Sequence, residues 1–203
     1  LTEITIPSSV TSIGANAFFY CSSLREIIIP SSVTSIKDAT FSSCTSLTQV
    51  TIPSSVTEIR NNAFSFCRSL TQITIPSSVT SIESYAFSSC SNLTEVTIPS
   101  SVASIGVNPF SSCSNLQELH VDPANSYFVS IDNVLFTKDI QTLICYPCKN
   151  APSKYTIPSS VTSIRDYAFS KCSSLIEVTI PLTMLSHTAF HFNKSQFHHQ
   201  KYQ

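Results

Sequence analysis

The sequence is poor in charge, glycine and tryptophan. Only 11% of its 203 residues are charged, 11 Lys+Arg against 12 Asp+Glu, less than half the roughly 25% usual for a globular domain. With a formal net charge of −1, bulk charge recruits few partners. Glycine occurs twice and tryptophan not at all. No apolar run reaches the roughly 18 to 20 residues that span a bilayer as a helix, and no basic-then-apolar leader is present. The chain begins at Leu1, within a pattern, and is read as a piece of something longer. What is abundant is hydroxyl: 39 Ser and 21 Thr. Such a composition suggests a disordered stalk, but 42% hydrophobic and 10% aromatic residues exceed what such a segment carries.

Self-similarity at a fixed spacing decides the fold. Ile-Pro recurs with its prolines at Pro7, Pro30, Pro53, Pro76 and Pro99, each 23 residues after the last, and again at Pro158 and Pro181. The 59-residue gap between Pro99 and Pro158 is one period plus 36. Cys21, Cys44, Cys67, Cys90 and Cys113 keep the same beat, as do Phe18, Phe41, Phe64, Phe87 and Phe110, and Cys172 and Phe169 follow after the same gap. The unit reads Leu-x-x-Val/Ile-x-Ile-Pro-Ser-Ser-Val-x-x-Ile-x-x-x-Ala-Phe-x-x-Cys-x-x. Its start, as in Leu93 to Pro99, alternates apolar and polar residues of β-branched type and is closed by proline, which predicts one strand per repeat. Ser-Ser turns the chain, and a short turn at Ala-Phe carries the aromatic ring and the thiol inward. One coil cannot bury its own apolar side, so the coils must stack. Eight coils at about 4.8 Å make a rod roughly 35 Å long, with Phe, at roughly 1.5 to 3 kcal/mol when buried, the largest contributor to each.

Leu-x-x-Val-x-Ile-Pro, Val-x-x-Ile and Ala-Phe-x-x-Cys together resemble the 23-residue leucine-rich repeat of the BspA-like surface proteins, the Treponema-type class. The resemblance implies an α/β right-handed solenoid with a parallel β-sheet on one face and short helical or 3-10 turns on the other. It also implies a role in adhesion and protein binding at the surface of host-associated microbes, hence a cell-surface or secreted location. The expected organisation is a single solenoid over 1–203: regular repeats over 1–121, an irregular insert over 122–153, repeats resuming over 154–190, and a polar tail over 191–203.

Departures from the repeat mark where individual function could lie. The insert carries Tyr127 to Ile131, Val134 to Thr137 and Thr142 to Pro147, which read as two or three extra strands with a hairpin, a structural elaboration similar to inserts of BspA-like proteins. Cys145-Tyr-Pro-Cys148 follows a predicted strand and not a helix N-terminus, which argues against a redox pair; it lacks the second pair of ligands a zinc site wants, and coincidence or a disulfide between the two remains. The six phased cysteines read as a buried column of free thiols. His187, His191, His198 and His199 crowd a tail without metal-ligand spacing, and read as a degraded final coil. No metal, cofactor or catalytic residue is assigned.

Alternation along each strand leaves two outward columns. One runs Glu3, Glu26, Gln49, Gln72, Glu95, Glu118 and Glu177; the other Thr5, Ile28, Thr51, Thr74, Thr97, His120 and Thr179. Neither holds Lys or Arg, which excludes phosphate-backbone binding, hence nucleic acid, on this face. The columns read either as soluble β-formers or as a polar platform for a protein or glycan partner, with Arg25, Ile28 and His120 as its irregular positions. Ice binding would need two Thr ranks two residues apart, whereas Thr94 and Thr97 are three apart. Catalysis needs groups converging in a pocket, and a rod offers a surface, so no enzyme is expected. The surface-displayed binding reading is supported by two sequons, Asn92-Leu-Thr and Asn193-Lys-Ser; the alternative is an intracellular, cytoplasmic scaffold. A first strand at Leu1–Ile6 without a neighbour above it predicts end-to-end association.

Overall fold

A computed structural model describes residues 2–149, 151–181 and Met184. Its strands are β1 (Glu26–Ile28), β2 (Ser35–Ile36), β3 (Gln49–Thr51), β4 (Glu58–Ile59), β5 (Ser81–Ile82), β6 (Glu95–Ile98), β7 (Ser104–Ile105), β8 (Glu118–Val121), β9 (Phe128–Ile131), β10 (Val134–Thr137), β11 (Thr142–Cys145), β12 (Lys154–Thr156), β13 (Ser163–Ile164) and β14 (Glu177–Thr179). Each regular coil thus carries up to two short strands, not one. The second, a Ser-Ile or Glu-Ile pair, is too short to show periodicity in sequence, but β2, β4, β5 and β7 form one continuous parallel ladder. On the first face β1 pairs with β3 and β6 with β8, all parallel and offset by 23 residues.

Three turns join the strands. At the first, the Val33 N–H donates to the Pro30 carbonyl at 3.0 Å, and Val56, Val79, Val102 and Val161 repeat the bond to their own prolines. Proline suits this corner because it has no N–H to leave unpaired. At the last, Leu47 N–H donates to Cys44 O, and its copies do likewise. The middle corner was expected to be helical or 3-10, and among the described elements none is a helix. Its amides alternate instead: Ser42 donates back to Ala39 O within the coil, while Ala39, Phe41 and Ser43 donate to Asn61, Ala63 and Ser65 O in the next coil. Reaching across requires left-handed backbone twice per coil, at Asn16 and Tyr20, Ala39 and Ser43, Asn62 and Phe66, Tyr85 and Ser89, Asn108 and Ser112, and Tyr167 and Lys171, with φ between 50° and 68°. Non-glycine residues there cost roughly 1–2 kcal/mol each, offset by inter-coil hydrogen bonds that a helix would forgo.

The hydroxyls serve the same stacking. The second serine of each Pro-Ser-Ser donates to the coil before it: Ser32 to Val10 O, Ser55 to Val33 O, Ser78 to Val56 O and Ser101 to Val79 O, all at 2.6–2.7 Å. Thr48, Thr57, Thr80 and Thr94 do the same to backbone carbonyls 23 residues back. Inside, Phe18, Phe41, Phe64, Phe87 and Phe110 stack as one column with ring centroids 5.3–5.7 Å apart and planes within 11°. Phe41, Phe64 and Phe87 are fully buried.

The insert is a three-stranded antiparallel meander, β9-β10-β11, whose last strand pairs in parallel with β13. It divides the core. Leu135 of β10 packs with the N-terminal coils, whereas Val134 and Phe136 pack with Ile157, Val161 and Phe169. The Phe stack stops here, and Phe169 meets Tyr146 at 5.0 Å instead. Arg165 ties the two parts by donating to Ile105 O and Gly106 O, both at 2.9 Å. Gly106 packs so closely that a Cβ would collide with the backbone of Glu83 and Ser84.

Asn125, 1% exposed, anchors the start of the insert. Its amide donates to Pro99 O at 2.8 Å and Val102 O at 3.0 Å, and its carbonyl accepts from the Tyr127 and Phe128 amides at 2.8 Å each. Because a buried group left unpaired costs about 1–3 kcal/mol, Asn125→Ala is expected to lower stability by about 3 kcal/mol in urea unfolding.

Candidate functional site

The residues singled out from sequence share one exposed face. Glu26 and Ile28 lie on β1, Gln49 and Thr51 on β3, Glu95 and Thr97 on β6, Glu118 and His120 on β8, with Arg25 just before β1 and Gln72 and Thr74 in the coil between β3 and β6. All eleven are exposed, because their strand neighbours Ile27, Val96 and Leu119 point inward and are 0–1% exposed. Register places Glu26 beside Gln49, Ile28 beside Thr51, Glu95 beside Glu118 and Thr97 beside His120. Ile28, 70% exposed, is the apolar exception.

The platform is not uniform. Residues 72–75 form no ladder with β3 among the described residues and meet β6 only through a bridge from Gln72 to Glu95. A hollow of about 290 Å³ opens there, lined by Gln72, Ile73, Thr74, Ile75, Glu95 and Thr97. Beyond β8 the insert walls a second hollow of about 240 Å³, where Glu118 and Gln117 face Asp132, Asn133 and Lys149. Sequence reading missed the last three. Nothing in a 23-residue period places an insert residue beside a strand, and the left-handed turn at Asp132 and Asn133, φ 50° and 65°, is the local signal that turns them there. Between the hollows, His120 Nε2 lies 3.0 Å from Glu118 Oε2.

The acidic column was expected to run unbroken by basic residues to Glu177. The structure corrects this: β12 stands in register with β14, and Lys154 meets Glu177 at 2.7 Å. The 59-residue gap hides one further coil, so Lys154 occupies a place in the column. The histidines of the tail, the sequon at Asn193 and the degraded final coil lie outside the described residues. Asn92 is exposed, its carbonyl accepting from the Asn115 amide at 3.2 Å.

The cysteines separate into two groups. Cys21, Cys44, Cys67, Cys90 and Cys113 are free, as expected, and so is Cys145. Cys172 departs from the expected column of thiols, because it forms a disulfide with Cys148, Cα atoms 4.6 Å apart. The Cys-x-x-Cys pair is therefore not joined to itself: Cys145 belongs to the N-terminal core and Cys148 to the C-terminal one. Four column thiols donate to a phenylalanine carbonyl of the preceding coil, Cys44 to Phe18, Cys67 to Phe41, Cys90 to Phe64 and Cys113 to Phe87, all at 3.1 Å. Burial, reinforced by the Cys21 thiol, pushes Cys44 up to about 12, and burial alone pushes Cys145 to about 12. Burial and then the adjacent thiol raise Cys67, Cys90 and Cys113 well above the ordinary range. Such thiols are packing groups and not nucleophiles.

Comparison with known proteins agrees with the repeat. The description "BspA type leucine rich repeat region" matches residues 1–117 and 138–202, in six copies. Among curated proteins none matches. A leucine-rich repeat protein from Eubacterium ventriosum is similar at 28% identity and TM-score 0.78, over 87% of this chain and 47% of that one. A leucine rich cell surface protein from Faecalibacterium prausnitzii is 34% identical with TM-score 0.70, over 85% of this chain and 53% of that one. The pneumococcal vaccine antigen PcpA is 28% identical with TM-score 0.58, over 79% and 35%. The chain thus spans about half the length of the first two structures. No catalytic family is indicated by these matches.

The raised thiol pKa values set an alkaline limit. An unfolded cysteine ionises near 9 while folded Cys44 and Cys145 hold their protons to about 12, so above the unfolded value the unfolded state binds fewer protons. Stability from these thiols is expected to be full below pH 9 and to fall as pH rises towards 12, read as the urea midpoint against pH. At pH 8 a thiol reagent is expected to reach Cys21 in the native chain and all six free thiols only in denaturant.

Proposed function

The chain belongs to the BspA-type leucine rich repeat family, and from that premise we propose that it is a non-enzymatic binding module displayed at the cell surface, meeting a protein or glycan through the exposed face of β1, β3, β6 and β8. The observation that carries this reading is the face itself: eleven exposed side chains held on a fixed lattice by buried neighbours, so that little ordering entropy is lost on binding. Two features favour display outside the cell. One similar structure is described as a cell surface protein and another as a vaccine antigen, and the Cys148–Cys172 disulfide suits an oxidising compartment. No helix among the described residues is long and apolar enough to cross a membrane. Five phased free thiols favour the second reading, an intracellular scaffold using the same face.

Antibody labelling of intact source cells separates the two: signal without permeabilisation is expected, and signal only after it would sink the surface reading. Binding of the purified chain to an array of matrix proteins and glycans is expected to drop about tenfold or more, or 1.4 kcal/mol, in a Thr51→Lys, Thr97→Lys double variant. Phe66→Ser, on the turn side, is expected to leave binding unchanged.

A further inference from the structure

Both outward columns change chemistry between β6 and β8. Along β1 and β3 a carboxylate faces an amide, Glu26 beside Gln49, but on β6 and β8 two carboxylates, Glu95 and Glu118, are directly opposed. Like charges so placed repel. Neither makes an ion pair with Lys or Arg among the described residues; Glu118 has only the imidazole of His120. His120 is, with Ile28, one of two departures in the second column, standing where Thr51, Thr97 and Thr179 stand in their coils. One ligand atom from each of Glu95, Glu118 and His120 lies within 4.8 Å of the others.

We propose that Glu95, Glu118 and His120 form a binding site for a divalent transition-metal ion of the zinc type. A cation placed among them would remove the carboxylate repulsion. Two carboxylate oxygens and one imidazole nitrogen are ligands zinc accepts, whereas calcium and magnesium favour oxygen alone. Ligands about 2.0–2.2 Å from zinc stand about 3.4 Å from one another in a tetrahedron, which small side-chain rotations reach from the observed spread. The strands underneath are fixed, since Val96 and Leu119 between the ligands are 1% and 0% exposed. The side chains are free to adjust, with Glu118 and His120 54% and 46% exposed. Three protein ligands leave a coordination position open towards solvent, between the hollow that Glu95 borders and the one that Glu118 borders. The site does not depend on where the chain resides or on what partner it meets.

The test is a calorimetric titration of the 203-residue chain with Zn²⁺, alongside Co²⁺ read by its visible absorption. The background variant replaces His187, His191, His198 and His199 by Gln and Cys21 by Ser, so that neither the tail nor the accessible thiol supplies ligands. One ion per chain is expected, with affinity reduced about tenfold or more, or 1.4 kcal/mol, by His120→Asn and by Glu118→Gln. Phe66→Ser, exposed on the turn side away from the strand columns, is expected to bind as the background does. Circular dichroism of each variant confirms that the coil stack is intact, and Glu95→Gln gives a second, independent removal of a ligand. Absence of binding at about 1 mM Zn²⁺, or binding undiminished in His120→Asn and Glu118→Gln, would overturn the site.

Discussion

Each coil of this molecule satisfies its backbone through the coil beside it. Strand ladders, the alternating amides of the middle turn and the serine and threonine hydroxyls all run between residues 22 or 23 apart. That one constraint accounts for the composition. A hydroxyl can donate to the neighbouring carbonyl where a charged group would be set against its own copy, so 60 of the 203 residues are Ser or Thr and only 11% are charged. It also accounts for the left-handed residues. With two glycines in the chain, and neither at positive φ, the fold places Asn, Ser, Tyr, Phe and Ala in a conformation they disfavour, because inter-coil hydrogen bonds outweigh local strain.

Stacking identical side chains has different consequences for different groups. Phenyl rings gain, since each offset-stacked pair adds contact beyond its own burial. Thiols are neutral enough to stack, provided that they stay protonated, and burial, followed by the neighbouring thiol, raises their pKa values so that they do. Carboxylates lose, and the first outward column relieves this where Glu26 stands beside Gln49 and where Glu177 pairs with Lys154. Glu95 and Glu118 stand in strand register with neither form of relief.

The insert is the second organising feature. By taking one residue of β10 into the N-terminal core and its neighbours into the C-terminal core, it ends the Phe stack and begins a different aromatic cluster around Tyr146. Regular coils give a flat platform, and a wall is needed to make a recess. The meander supplies that wall beside Glu118, which is why the most varied chemistry of the exposed face sits at its end and not at its middle.

The period, the buried columns, the outward columns and the existence of an extra-stranded insert were legible in the sequence, because a repeating side-chain pattern has one way to bury itself, by stacking in phase. Three things were not. The middle turn looks helical in one coil and becomes an alternating turn only when its amides find the next coil. The partner of Cys148 is Cys172 and not Cys145, a choice made by which core each thiol enters. And Asp132, Asn133, Lys149 and Lys154 come beside the strand columns only through the path of the insert. Sequence determined what repeats, since repetition is local and periodic; tertiary structure decided what meets where repetition fails, since those contacts join residues whose spacing carries no period.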